Sequence, residues 1–214
     1  MTSSIDKLES ELMLGQVSLS ELLSLRRELN RPFTLHPLGF LACTLLAEGN
    51  RKVRLHFWPV EGGRPQSSKY QIHDHLFQFR SWVMAGSVEN IEYAVSVDGQ
   101  EFSAYRTEYI PTGSTLIKSD KYIRISELSR RTFGIGSSYV VQAGALHKTE
   151  RVVDGPAFTV LVTNDMSESM PLVLGPTDGP DRYVYERKAL DDTVVEAKLA
   201  ELYAFFPAGS SRPL

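Results

Sequence analysis

From residue 52 onward the chain is a series of short β-rich runs separated by Gly, Pro, Ser and Asp. That pattern leaves few folds open, because many short strands with turns between them close into a sandwich or barrel. Strands are predicted at 52–58, 71–84, 89–97, 102–109, 121–127, 138–142, 147–152 and 157–163. Val97-Asp98-Gly99-Gln100 is predicted to be a hairpin turn, since Asp-Gly supplies the positive φ angles it needs.

The ends of the chain read differently. Ser3 or Ser4 is placed to cap a first helix, with Asp6 and Glu9 favourable near its start. Ser18 with Glu21 has the form of a capping box, and Leu19, Leu22, Leu23 and Leu25 follow near helical spacing. Asn30-Arg31-Pro32 ends that helix, because proline disfavours helical geometry before it. The apolar segment Leu38 to Leu46 fits either a helix or a buried strand, and Glu48-Gly49-Asn50 closes it as a turn.

After residue 165 a polar stretch with Pro171, Pro176 and Pro180 reads as loop, with one apolar patch at Leu172 to Leu174. A last helix is predicted over 189–206, where Val194, Val195, Leu199, Leu202 and Phe205 recur at helical spacing. The tail PAGSSRPL is expected to be disordered. The organisation expected is a helical extension over 1–50, a β-barrel over 51–165, and a loop and helix over 166–214 packed on the same domain.

Charge and composition exclude several function classes. A net charge of -3 gives no reason to expect nucleic acid or an anionic membrane as partner. No apolar run approaches the length of about 20 residues that spans a bilayer. The N-terminus has neither the basic nor the apolar region of a secretory signal, so a cytoplasmic setting is expected. The single cysteine, Cys43, excludes an internal disulfide framework and a Cys-rich zinc site. Its apolar neighbours read it as a buried small hydrophobe.

The chain has five histidines: His36, His56, His73, His75 and His147. His73 and His75 are one residue apart in a predicted strand, so both side chains share a face and Asp74 lies opposite. Two imidazoles on a concave face can ligate one ion if another strand adds a third donor. The same pair on an exposed strand is ordinary polar surface. The apolar neighbours Ile72, Phe77, Phe79, Val83 and Met84 argue against a solvated edge.

At these residues the chain resembles the cupin superfamily. The first cupin motif is a His-x-His pair, three or four residues, a Glu, six residues and a Gly. Here His73-Asp74-His75 is followed by Leu76-Phe77-Gln78, then Phe79 in the glutamate slot, six residues and Gly86. The second motif is Gly, five residues, Pro-x-Gly, two residues and His, with an Asn four further on. Here Gly136 is followed by five residues, Gln142-Ala143-Gly144, two residues and His147, with Arg151 in the Asn slot. The resemblance implies a mainly β cupin fold, a double-stranded β-helix or jelly-roll barrel. It also implies a metal on His73, His75 and His147.

Within that superfamily the chain resembles the three-histidine thiol dioxygenases, which include cysteine dioxygenase. Ile72-His73-Asp74-His75 matches their Ile-His-Asp-His, and Gly49-Asn50 followed by the strand Val53 to Trp58 also looks like theirs. The departures fall on substrate recognition. Cys43 stands near the place of the arginine that holds the cysteine carboxylate, and Ala157 to Asn164 carries no counterpart of their tyrosine. The cysteine that some of them link to this tyrosine falls at about Phe79 or Arg80. Cysteine is therefore not named as the substrate.

Three neutral imidazoles suit Fe(II), Zn, Cu, Ni or Mn, and a site without a carboxylate keeps a full +2 charge that favours an anionic chelating substrate. Fe(II) is the first choice. Arg54 and His56 share one face of the strand before the histidine pair. If that face looks inward, Arg54 could pair with a substrate carboxylate and His56 could act as acid or base. If Val53, Leu55 and Phe57 fill the core instead, both decorate the surface. Phe79 is expected beside the metal, in an apolar pocket. Trp58, Trp82 and Phe77 read as barrel wall, with Trp58 and Tyr139 also pocket candidates. Gln78 and Arg80 face away from His75, and His36 reads as a loop residue.

The function expected is a non-haem Fe(II) oxygenase acting with O2 on a small chelating substrate, thiol or otherwise anionic. The alternatives are a redox-silent isomerase, lyase or hydrolase with Zn or Ni, and a ligand-binding cupin without turnover. The amphipathic N-terminal segment offers some surface for a homodimer or, equally, for packing on its own barrel.

Overall fold

Strand burial explains the layering of this protein. The computed structural model describes residues 3–61, 63, 65–110, 113–152, 155–166 and 170–206. In chain order it contains helices α1 (Ser4–Met13) and α2 (Leu19–Glu28), then strands β1 (Thr34–Leu35), β2 (Leu41–Glu48), β3 (Arg51–Trp58) and β4 (Phe77–Ala85). A long pair follows, β5 (Ser87–Ile110) and β6 (Gly113–Gly134), and then β7 (Ser138–Val141), β8 (His147–Arg151) and β9 (Ala157–Asp165). Three short strands, β10 (Leu172–Gly175), β11 (Arg182–Glu186) and β12 (Lys188–Ala189), precede helix α3 (Asp192–Phe205).

One antiparallel sheet runs β12-β1-β2-β3-β9-β4-β7. The second runs β10-β5-β6-β11, with β8 paired to β5. The result is the double-stranded β-helix, mainly β, with helices at both ends of the chain. No helix among the described residues is long and apolar enough to cross a membrane.

The larger sheet is buried on both faces. In β3, Val53, Leu55 and Phe57 point to one side, where they pack with Ile5 and Leu8 of α1, Leu22 and Leu23 of α2, and Val195, Leu199 and Leu202 of α3. Arg54, His56 and Trp58 point to the other side, into the barrel. Strand β9 lies between β3 and β4, and its residues 157–163 are all buried.

The helices start as their caps predict. Ser3 accepts from the Asp6 amide, and Ser18 and Glu21 close a capping box. Arg51 of β3 ion-pairs with Asp6 and Glu9 of α1. Arg26 of α2, 3% exposed, bonds Asp192 of α3 at 2.8 Å.

One open reading is decided and three change. The apolar segment near residues 38–46 contributes strand β2, not a helix, because its ladder with β3 runs back from the Gly49-Asn50 turn. Gly49 takes φ +57°, which a glycine tolerates there. The runs at 89–97 and 102–109 are one strand, and Asp98-Gly99 is a bulge in it, not a hairpin turn. Val95 and Gln100 both pair with Ile125, since β6 continues alongside and holds the chain extended on either side of the bulge. A Cβ on Gly99 would lie 2.3 Å from the Ile125 carbonyl oxygen, so the residue allows that close approach.

The strand predicted over 71–84 begins only at Phe77; before it, His73 forms single bridges to His147 and Val173. The stretch read as loop after 165 holds β10, β11 and β12. These runs of two to five residues are too short to show a period, yet β10 pairs with β5 and β11 with β6. The tail PAGSSRPL lies outside the described residues.

The helix-covered face sets the first prediction. Leu23 is fully buried between α2 and the sheet. Leu23→Ala should lower the unfolding free energy by about 2–5 kcal/mol in urea titrations. A change under about 0.5 kcal/mol would show that the helices do not pack on the barrel as described.

Candidate metal centre

Two backbone hydrogen bonds bring the histidines together. The His73 amide donates to the His147 carbonyl at 3.0 Å, and the His147 amide donates back to the His73 carbonyl at 2.9 Å. This reciprocal pair locks the segment before β4 against the start of β8. The Gly144 amide adds a bond to the His75 carbonyl at 2.9 Å. Gly144 has φ +76°, so the second glycine-rich segment turns where only a left-handed residue fits.

Asp74 points away from the pair, as strand alternation requires. Its carboxylate accepts from the Leu172 amide at 2.7 Å, while its own amide donates to the Leu172 carbonyl at 3.0 Å. It therefore pins the histidine segment to β10. Burial is the main influence on its carboxyl and raises its pKa; the bond from Leu172 opposes that shift.

The side chains of His73, His75 and His147 converge. Their ligand atoms all lie within 4.8 Å of one another, and the ring centroids are 4.7, 4.7 and 5.0 Å apart. The Nδ1 of His73 is 2.7 Å from the Gln71 carbonyl, and that of His147 is 3.0 Å from the Ala145 carbonyl. A carbonyl can only accept, so each Nδ1 carries the proton and Nε2 keeps its lone pair. Metal-ligating histidines are oriented in this way. Burial lowers the pKa of all three rings, His147 to about 3, so the rings are neutral donors at neutral pH. The three-histidine group thus fits a divalent ion, and among the described residues the cluster contains no carboxylate.

Phe79 occupies the remaining side. It is 4% exposed, with its ring centroid 5.7 Å from that of His75 and 5.8 Å from that of His147. Phe77 stacks on His75 at 4.5 Å, and Tyr139 meets Phe79 edge-on at 6.3 Å. These rings keep water from one flank of the donors.

The cluster opens into a cavity of about 780 Å³. All five histidines of the chain line it, and so do Arg54, Trp58, Phe79 and Tyr139. Arg54 and His56 therefore face inward. Their alternation with Val53, Leu55 and Phe57 has a cause the sequence does not display: helices cover the apolar face, so the polar face is the barrel interior. The Arg54 guanidinium lies 4.9 Å over the Phe77 ring. His56 packs on Phe40 at 4.5 Å and Trp58 at 5.7 Å, and burial lowers its pKa to about 3. Burial pushes the Tyr139 hydroxyl up, so it stays protonated.

Three cavity residues escape the sequence reading. His36 is in a loop as expected, yet it stacks on Phe40 at 4.2 Å and faces the cavity. Phe77, read as wall, is the stacking partner of His75. Arg187 arrives between β11 and β12, from a stretch read as loop. No motif marks His36 or Arg187, because pairing across the sheets brings them there.

No protein-family model matches the chain, and no curated protein sequence does. Solved structures similar to it include L-ribose isomerase from Cellulomonas parahominis, which shares 16% identity over 85% of this chain and 92% of its own, with a TM-score of 0.39. DMSP lyase DddQ from Ruegeria pomeroyi shares 17% identity over 66% of this chain and 54% of its own, with a TM-score of 0.33. Hydroquinone 1,2-dioxygenase from Sphingomonas sp. TTNP3 shares 10% identity over 56% of this chain and 63% of its own, with a TM-score of 0.32. The chain spans less than two thirds of the length of the last two. An isomerase, a lyase and a dioxygenase among these neighbours select no reaction for this protein.

The neutral histidines predict a pH dependence. Between about pH 3 and its ordinary value near 6.5, His56 is protonated in the unfolded chain and neutral in the folded one. The stability this contributes is complete above about pH 6.5 and is lost as the pH falls toward 3. In metal-free protein, His56→Gln should reduce the acid-side slope of unfolding free energy by up to about 1.4 kcal/mol per pH unit. Urea titrations at a series of pH values measure it, and an unchanged slope contradicts a neutral His56.

Proposed function

We propose that this protein is a mononuclear metal enzyme of the cupin class that uses Fe(II) and O2 on a small chelating, anionic substrate. The observation that carries the reading is the convergence of three neutral imidazoles, His73, His75 and His147, in a cavity whose fourth side is Phe79. A bound Fe(II) would supply open coordination positions for a chelating substrate and for O2, with a full +2 charge uncompensated by any protein carboxylate.

The surrounding residues have separable roles in this reading. The backbone carbonyls of Gln71 and Ala145 hold the His73 and His147 rings in the tautomer that presents Nε2. Phe77 and Phe79 shield the donors from water and fix the ring of His75, Phe77 by stacking and Phe79 edge-on. Arg54 places positive charge where an acidic substrate group would enter. His56 is neutral and lies in the same cavity; burial makes it a weak base, so its role in this reading is to hydrogen-bond a substrate bound there.

Metal analysis of protein purified without oxygen tests this directly. The wild type should hold about one ion per chain, and His147→Ala should retain less than about a tenth of it. Equal metal content in the variant would mean that the three histidines are not the site. Iron-loaded wild type should consume O2 with at least one member of a panel of thiols and diketones. Full metal occupancy with no O2 consumption across the panel would favour a redox-silent ion such as zinc and a lyase or isomerase reaction.

A further inference from the structure

The cavity holds two guanidinium groups with no direct ion-pair partner among the described residues. Arg54 enters from β3, and Arg187 from between β11 and β12. The Nε of each is buried and makes no hydrogen bond among the described residues, and neither side chain has an ion-pair partner there. Other cations of this chain are paired: Arg26 with Asp192, Arg51 with Asp6 and Glu9, Arg130 with Glu127 and Glu89. Lys52, which also lines the cavity, is paired with Asp165 at 3.2 Å.

Both arginines are half-buried, and a charge withdrawn from water without a partner costs stability. Here two like charges share one enclosure. Burial is the chief cause lowering the pKa of both; at Arg54 the nearby Asp165 carboxylate opposes that shift and Arg187 adds a smaller lowering. A ligand anion would remove this cost, and guanidinium forks match oxyanions geometrically. His36 adds a directed donor. Its Nδ1 accepts from the Leu38 amide at 3.3 Å, so the neutral ring carries its proton on Nε2. Phe77 lies under the Arg54 guanidinium at 4.9 Å and also stacks on His75 at 4.5 Å, so a single ring separates Arg54 from the histidine cluster.

We infer that Arg54 and Arg187 form a receptor for a doubly charged oxyanion group, phosphoryl in type, carried by the substrate whose other end binds at the histidine cluster. A monoanion would leave one guanidinium uncompensated; a dianion balances both. This inference rests on reading the cavity as the substrate site, and it narrows the substrate to a bifunctional acid.

Inorganic phosphate is the probe. Chelator-treated protein, free of metal, is titrated with phosphate against chloride at equal ionic strength, by calorimetry and by thermal unfolding. Wild type should bind phosphate and be stabilised by it beyond chloride. R54Q and R187Q should each bind phosphate about tenfold more weakly or worse, and each should melt higher than wild type when phosphate is absent, since an unpaired, half-buried charge is gone. A merely structural arginine would give the opposite sign in that second readout.

No phosphate response in wild type, or undiminished binding in both variants, overturns the inference. If R54Q does not fold, R187Q on its connecting segment decides alone. Zinc binding measured on the same samples separates the two readings. Intact zinc binding with no phosphate response removes only the oxyanion receptor. Absent zinc binding in wild type removes the metal reading and leaves the phosphate result standing.

Discussion

The reciprocal backbone bonds between His73 and His147 are the constraint on which the site depends. Each residue satisfies the other's amide and carbonyl, so two segments more than seventy positions apart are fixed in one register. A slip of one residue would turn either imidazole to the opposite face. The neighbouring bonds act in the same direction. Gly144 holds the His75 carbonyl, and Asp74 holds Leu172 on the far side of the segment. The cluster is therefore built on backbone geometry and does not need an ion to define which way its side chains point.

A second constraint is the double burial of the larger sheet. The helices α1, α2 and α3 seal its outer face, which frees the inner face for polar groups. Arg54, His56 and Lys52 all occupy that inner face. Without the helices, the alternation in β3 would bury Val53, Leu55 and Phe57 inside the barrel and expel the polar side chains. Packing far from the cavity thus decides what the cavity contains.

Much of this was legible in the sequence, and the reasons for the rest are physical. The helix caps, the Gly49 turn and most strands are local signals, and they appear where local physics puts them. The metal-ligand candidates were legible because two spacings, His73-Asp74-His75 with Gly86 and Gly136 through Gly144 to His147, depend on turns that need glycine. The Asp98-Gly99 turn was misread because an isolated dipeptide does not reveal that β6 continues past it. Strands β10 to β12 are too short to carry a period. His36 and Arg187 reach the cavity only through pairings between distant segments, which one sequence does not display. Arg54 and His56 were ambiguous for a single reason: the pattern shows two faces and does not say which one the helices cover.

Electrostatics ties these levels together. The cavity wall is neutral at its histidines and positive at its arginines, so the charge an ion and a ligand would bring is set before either binds. Phe79 is central to that balance, because a carboxylate in its place would neutralise half of a divalent ion. X-ray absorption spectroscopy on iron- or zinc-loaded protein tests this most directly. The account predicts three imidazole scatterers in a first shell of nitrogen and oxygen at about 2.0–2.2 Å, with the remaining positions filled by exchangeable solvent or added ligand. Fewer than three imidazoles, or a protein carboxylate in the shell, would contradict it.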